Sequence, residues 1–214
     1  LWVILILPYI VTSLGQREGK LTALMAGIGF SIKPHFVIVW IVNELYGAYR
    51  QRSWKWLLRS SNLIIGATGL TYLLVVVVYT PEYLTDMLPM LLCCYSVSDT
   101  EPVLLMQIIV AVSIMFLLPY MLFIPPREQR HLPYQCLALV LAAIAVCALQ
   151  HKGWANHNYA IVVLGALSAF VTASQLGKQV AARKAPGNIF AAFAIAVLGC
   201  CFALYAIRPV VGTE

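Results

Sequence analysis

Charge is what this chain has least of. Only 10% of its 214 residues are Asp, Glu, Lys or Arg, against about 25% in soluble domains. With 62% hydrophobic residues and a mean hydropathy of +0.87, that shortage excludes an ordinary water-soluble domain. Short apolar–polar alternation is also lacking, which excludes a membrane β-barrel. The six cysteines, Cys93, Cys94, Cys136, Cys147, Cys200 and Cys201, have no C-x-x-C spacing. Most lie in apolar runs, so they read as small buried hydrophobes and are assigned neither a metal nor a disulfide. The opening run LWVILILPYIV resembles a signal peptide only in being apolar, since it shows no basic n-region and no small-residue cleavage site. Without an initiating Met, the expectation is a piece of a longer chain.

What the chain does contain is a series of apolar runs near the roughly 20 residues that cross a bilayer core. They read as spans at 2–13, 21–48, 62–80, 103–124, 134–150, 159–175 and 188–207. The expected fold is therefore all-α: a polytopic transmembrane helical bundle of about seven spans, forming one transmembrane domain over 1–214. The second run is unusually long, and Lys33-Pro34 divides it. Proline lacks an amide proton and its ring crowds the preceding turn, so a kink or break is expected within about two residues of Pro34. Half-helices at 21–32 and 34–48 and a single bent span are both consistent with that.

The net charge of +6 sits in loops, a mark of membrane topology rather than of nucleic-acid binding. Three loops carry it: Arg50, Arg52, Lys55 and Arg59; then Arg127 and Arg130; then Lys178, Arg183 and Lys184. These are expected on the cytoplasmic side. The acidic loop with Glu82, Asp86, Asp99 and Glu101, the turn QHKGWANHNY and the turn LGQRE then fall outside. One junction resists this arrangement, because Lys20 would head a span entering from outside. A segment missing between Glu18 and Gly19 would place Lys20 in the cytoplasm and let 21–32 rise to an external Lys33-Pro34 turn.

Lys33 is the sharpest functional signal. A cation within a span costs at least about 2.5–3.5 kcal/mol and normally faces a cavity or a partner. A half-helix starting at Pro34 would leave the amides of His35 and Phe36 beside that lysine, an arrangement suited to an anion. The alternative is a snorkelling lysine beside a simple proline kink. The turn QHKGWANHNY adds Lys152, Trp154 and His157, with His151, as a second cationic group; Trp154 also suits an interfacial belt, and the turn has too few ligands for a metal. In LGQRE, Gln16, Arg17 and Glu18 follow a span directly. The segment with Pro81, Tyr83, Leu84, Met87 and Leu88 reads as an amphipathic helix on the membrane surface. Its acids Glu82 and Asp86 are candidates for a general base, though such acids more often only cap or solvate. Ala26, Gly27, Gly29, Gly66 and Gly69 fit close helix packing.

Three stretches carry a family resemblance. AGIGFSIKPHF has a small-residue helix running into Lys-Pro, LGQRE resembles a Gly-Gln-Arg-Glu turn, and QHKGWANHNY is similar to a Lys-Gly-aromatic-x-x-His turn, with TPEYLTDMLP a fainter match. Together they resemble the later helices of bacterial GT-C type integral membrane glycosyltransferases. The resemblance implies transfer of a sugar from a polyprenyl-phosphate donor to an extracytoplasmic acceptor at a bacterial inner membrane. It implies binding of the lipid phosphate by Lys33, Lys152 and His157, with Arg17 and Glu18 near the donor or acceptor; His35, Gln16 and Trp154 join them as candidate substrate-binding residues. Two departures stand out: Gly19 follows Glu18 where the family's turn has a histidine, and the family's catalytic acid lies upstream of residue 1. Within this chain, Glu18 and Asp86 are then the remaining weak candidates for that acid. No cofactor is expected, no divalent metal is indicated, and the expected partners are membrane lipid and the polyprenyl-phosphate sugar rather than nucleic acid. A transporter or flippase of an anionic lipid or solute, and a non-catalytic membrane subunit of a larger complex, are the competing readings.

Overall fold

A computed structural model describes residues 2–90, 93, 130–149 and 155–183, the last stretch with only part of its side chains. All regular structure among the described residues is helical. The chain divides into two units, residues 1–99 with 148–151 and residues 100–147 with 152–214.

The first unit contains α1 (Trp2–Leu14), α2 (Lys20–Ile32), α3 (Val37–Gln51) and α4 (Ser60–Tyr79). Short 3-10 turns at Pro34–Phe36 and Trp54–Leu58 link α2 to α3 and α3 to α4, and a π-helical turn, Tyr83–Met87, follows α4. The helix ends are written in local chemistry. After α1, Gln16 takes a left-handed conformation at φ 56, with its amide on the Ser13 carbonyl and the Arg17 amide on the Thr12 carbonyl, both at 2.9 Å. Arg52 repeats this after α3 at φ 49, with Arg52 bonded to Tyr49 and Ser53 to Ala48, both at 3.1 Å. These paired backbone bonds are the Schellman closure, which satisfies carbonyls a helix end otherwise leaves open.

The path of the chain follows from a few contacts. Thr12 meets Thr22 at 3.4 Å, and Trp2 stacks against Phe36 at 4.2 Å, so α2 runs antiparallel to α1. Asn43 then reaches back to Ser13 at 2.8 Å, one residue from Thr12. Positions 22 and 43 therefore lie at one level of α1, and α3 must run back down beside it. The stretch read as either two half-helices, 21–32 and 34–48, or one bent span is two helices in a hairpin, reversed at Lys33–Phe36. The expected break at Pro34 is present, and it turns the chain right round instead of bending it. Pro34 cannot donate a backbone bond, and Lys33 leaves helical geometry at φ −132, ψ 81, so the chain can reverse there.

Packing of α4 is equally local. A Cβ on Gly27 would lie 2.7 Å from the Thr68 Cβ, and one on Gly29 would lie 2.8 Å from the Ile6 Cγ1. Only glycine admits α4 and α1 this close to α2. The Glu18 carboxylate accepts a 2.5 Å bond from the Ser60 hydroxyl, so α4 rises parallel to α2. Buried Tyr9, Ile10, Ala23, Ala26, Phe30, Phe36, Val39 and Ile65 fill the space between the helices.

In the second unit α5 (His131–Leu149) buries Cys136, Leu139, Val140, Ala143 and Cys147, and α6 (Ala155–Arg183) buries Ala160, Ile161 and Leu164. Among the described residues, α4 and α5 are long and apolar enough to cross a membrane, whereas α1, α2 and the 159–172 stretch of α6 are apolar but shorter. At 1.5 Å per residue, α4 reaches about 30 Å, and α1 and α2 about 20 Å each. Leu70, Leu73, Leu74, Val77 and Val78 of α4 point outward, a large apolar face that suits a hydrocarbon surround better than water. The expected spans at 103–124 and 188–207 lie outside the described residues.

Candidate functional site

Two polar assemblies stand out in the first unit, and the sequence pointed to only one. The first is the hairpin tip. Lys33 is half-buried, with its ammonium 5.6 Å from the centre of the Trp2 ring. His35 is exposed, its ring 5.5 Å from that of Phe36. Desolvation, and secondarily the charge of Lys33, hold the His35 imidazole below its ordinary value of 6.5. The tip thus presents one fixed cation and one neutral imidazole, both able to donate to an anion.

Which other groups share this end follows from helix register. Gly27 sits against Thr68, and α2 and α4 run in parallel. Lys33 lies six residues beyond Gly27, a rise of about 9 Å, and Tyr79 lies eleven beyond Thr68, about 16 Å. The exposed acids Glu82 and Asp86, which follow α4, therefore belong to the same end of the unit as Lys33 and His35.

Gln16, Arg17 and Glu18 do not. The Gln16 amide, turned so that its oxygen meets donors, accepts from Gln51 Nε2 at 2.9 Å and from Arg50 Nε at 3.0 Å. Glu18 is bonded to Ser60. LGQRE and the loop of Arg50, Arg52 and Lys55 therefore occupy one end, about 20 Å along α2 from Lys33. The expectation that these two loops lie on opposite sides is corrected. α1, α2 and α3 are three successive antiparallel helices, so the turn after α1 and the turn after α3 meet. Within the first unit the expected phosphate and donor set is divided, with Lys33 and His35 at the hairpin tip and Gln16, Arg17 and Glu18 at the other end. His157 lies in the first turn of α6, and Lys152 and Trp154 lie outside the described residues.

The second assembly was missed by the sequence reading. Glu44 of α3 and Arg59, the residue that precedes α4, form an ion pair at 2.6 Å with side chains 4% exposed. Four further groups enclose it. Glu44 Oε1 accepts from the Tyr9 hydroxyl at 2.5 Å and from Asn43 Nδ2 at 2.8 Å, and Glu44 Oε2 accepts from Asn62 Nδ2 at 2.8 Å. Arg59 Nη2 also donates to the Ser13 hydroxyl at 2.9 Å and the Tyr9 hydroxyl at 3.0 Å. Asn62 Oδ1 in turn accepts from Trp40 Nε1 at 3.2 Å. Among the described residues, Arg59 Nε and Nη1 and Trp56 Nε1 have no hydrogen-bond partner. The guanidinium instead lies 4.3 Å over the Trp56 ring and 5.8 Å from that of Tyr9, a cation–π sandwich. Arg59 had been counted with the loop cations, and Glu44 had no motif around it. The available signal was an acid inside an apolar run, which requires a partner.

Among the described residues, no three His, Cys, Asp or Glu side chains converge as a metal site would require. Comparison with family models, curated proteins and solved structures gives no match.

Proposed function

We propose that the chain is part of a multi-pass glycosyltransferase of a bacterial inner membrane, using a polyprenyl-phosphate sugar, with Lys33 as the phosphate ligand. The observation that supports this most directly is the reversal at Lys33-Pro34. It sets a cation and a neutral imidazole at a bundle end that also carries Glu82 and Asp86, beside helices apolar enough for lipid. With the cation-rich end cytoplasmic, the tip is extracytoplasmic, where such donors are consumed. In this reading a carboxylate, Asp86 or one outside this sequence, takes the proton of the acceptor hydroxyl. The hydroxyl oxygen bonds to the anomeric carbon as the bond to phosphate breaks, and Lys33 offsets the charge on the departing polyprenyl phosphate. Glu18, at the opposite end, has no part in it.

The test is sugar transfer from a polyprenyl-phosphate donor by Lys33→Met and Lys33→Arg proteins of matched detergent stability. Transfer should fall about 10²-fold or more in Lys33→Met, the scale of losing one preorganised donor, and recover only partly in Lys33→Arg. Undiminished transfer by Lys33→Met would remove the lysine from the site. The buried Glu44–Arg59 pair favours a second reading, a transporter or flippase, because paired charges among apolar helices often line solute paths. Transport of an anionic lipid by vesicles holding the chain, without sugar transfer, would select it.

A further inference from the structure

The end of the first unit opposite the Lys33 tip collects cations that the proposed chemistry does not use. Arg17 and Lys20, in the connection from α1 and at the start of α2, are exposed, as are Arg52 and Lys55 after α3, and Arg50 is half-buried. Of the acids at this end among the described residues, Glu44 is buried with Arg59, and Glu18, exposed and bonded to Ser60, leaves one carboxylate against the five cations. The surface is therefore strongly positive. Beside these cations Trp54 is 75% exposed and Leu58 70% exposed, in a 3-10 turn that buries none of its residues. A soluble surface gains nothing from baring a tryptophan and a leucine next to four cations, whereas the boundary between headgroups and acyl chains accommodates both at once. The position fits: α4, long enough to cross a bilayer, begins at Ser60 immediately after this turn.

We propose that this face, centred on Arg52, Trp54 and Lys55, binds the headgroups of anionic phospholipids in the leaflet it meets, with guanidinium and ammonium on phosphate and Trp54 and Leu58 among the upper acyl carbons. The proposal rests on the membrane reading given above but not on glycosyl transfer. It also gives a reason for arginine at the left-handed position 52, where glycine or asparagine would relieve backbone strain: the charge is worth more there than the relaxed backbone.

That same strain supplies a clean variant. Asparagine tolerates left-handed geometry, so Arg52→Asn with Lys55→Gln removes two charges without opening the helix end. The full chain is placed in bilayer discs of phosphatidylcholine and in discs holding phosphatidylglycerol as well, and bound phosphatidylglycerol is counted by native mass spectrometry across a titration. The double variant should bind phosphatidylglycerol about 30-fold more weakly than the parent, and Glu82→Gln, an exposed position at the opposite end of the first unit, should bind as the parent does. Inorganic phosphate should not compete, since it has no acyl chain to engage Trp54 and Leu58. Equal affinity of parent and double variant, an equal loss in Glu82→Gln, or full competition by phosphate would each overturn the proposal. A chain that enters discs of neither kind would overturn the membrane reading along with it, whereas one that enters both without preference overturns this inference alone.

Discussion

Removing one partner of the buried Glu44–Arg59 pair tests whether the network among α1, α3 and α4 holds the hairpin closed. In Arg59→Met, Glu44 loses its 2.6 Å ion pair while keeping donors from Tyr9, Asn43 and Asn62. A carboxylate only 4% exposed would then be buried without a counter-charge. Breaking a buried pair from one side costs about 3–5 kcal/mol, because the remaining charge cannot reach water. Glu44→Met leaves the guanidinium stacked on Trp56 and bonded only to Ser13 and Tyr9, and should cost a similar amount. The double variant Glu44→Met/Arg59→Met leaves no stranded charge and exchanges the pair for apolar volume. It should cost less than either single change, since apolar replacement of a whole pair is often neutral. The assay is reversible unfolding in mixed micelles followed by helical circular dichroism, read as a double-mutant cycle. Single losses that simply add in the double variant, to about 6–10 kcal/mol, would refute the reasoning, because contacting charges must couple.

Tyr9→Phe removes the hydroxyl that donates to Glu44 and accepts from Arg59, and should cost about 1.5–3 kcal/mol in the same assay, as expected for bonds to charged groups. In Gly47→Ala the new methyl runs into the Trp56 indole, which must shift and uncover Arg59; a loss of about 1–3 kcal/mol is expected. Cysteine labelling of intact cells, in a background freed of native cysteines, should place positions 17 and 55 on one side and position 35 on the other; 17 with 35 would overturn the hairpin. His35 is held below its ordinary value first by desolvation and then by Lys33, so the folded state binds its proton more weakly than the unfolded state. Stability should therefore be steady above pH 6.5 and fall modestly as pH drops below it, and His35→Gln should flatten that fall in melting curves.

The helical class and many of the element positions were legible because they depend on runs and breakers. The apolar stretches at 2–13, 62–80 and 134–150 lie within three residues of α1, α4 and α5 at each end, and Lys33-Pro34 marked the interruption. The reversal was harder to read. A proline in a 28-residue apolar run is equally compatible with a kink, and length alone favoured one crossing. What decides for a hairpin is pairing at a distance: Asn43 with Ser13 and Glu44 with Tyr9, separated by 30 and 35 positions. No local pattern encodes such pairs.

The same blind spot explains the site. Lys33 and His35 were found because a local irregularity exposed them, whereas Arg17 and Glu18 were grouped with them by topology, and the reversal moved them to the other end. Glu44 is marked by no local pattern, and Arg59 is one of several loop cations. Yet these two, with Tyr9 and Asn62, tie α1, α3 and the start of α4 into one fixed arrangement. Because α3 is clamped near its middle against α1, its first turn is held against Trp2, and the Lys33 ammonium is held over that ring. The chain thus divides its polar residues by task. Enclosed charges tie the helices together, and on the proposed reading the charges at the two ends of the first unit bind ligands. A change in the enclosed set should therefore appear first as lost stability, and a change at Lys33 as lost binding with the fold retained.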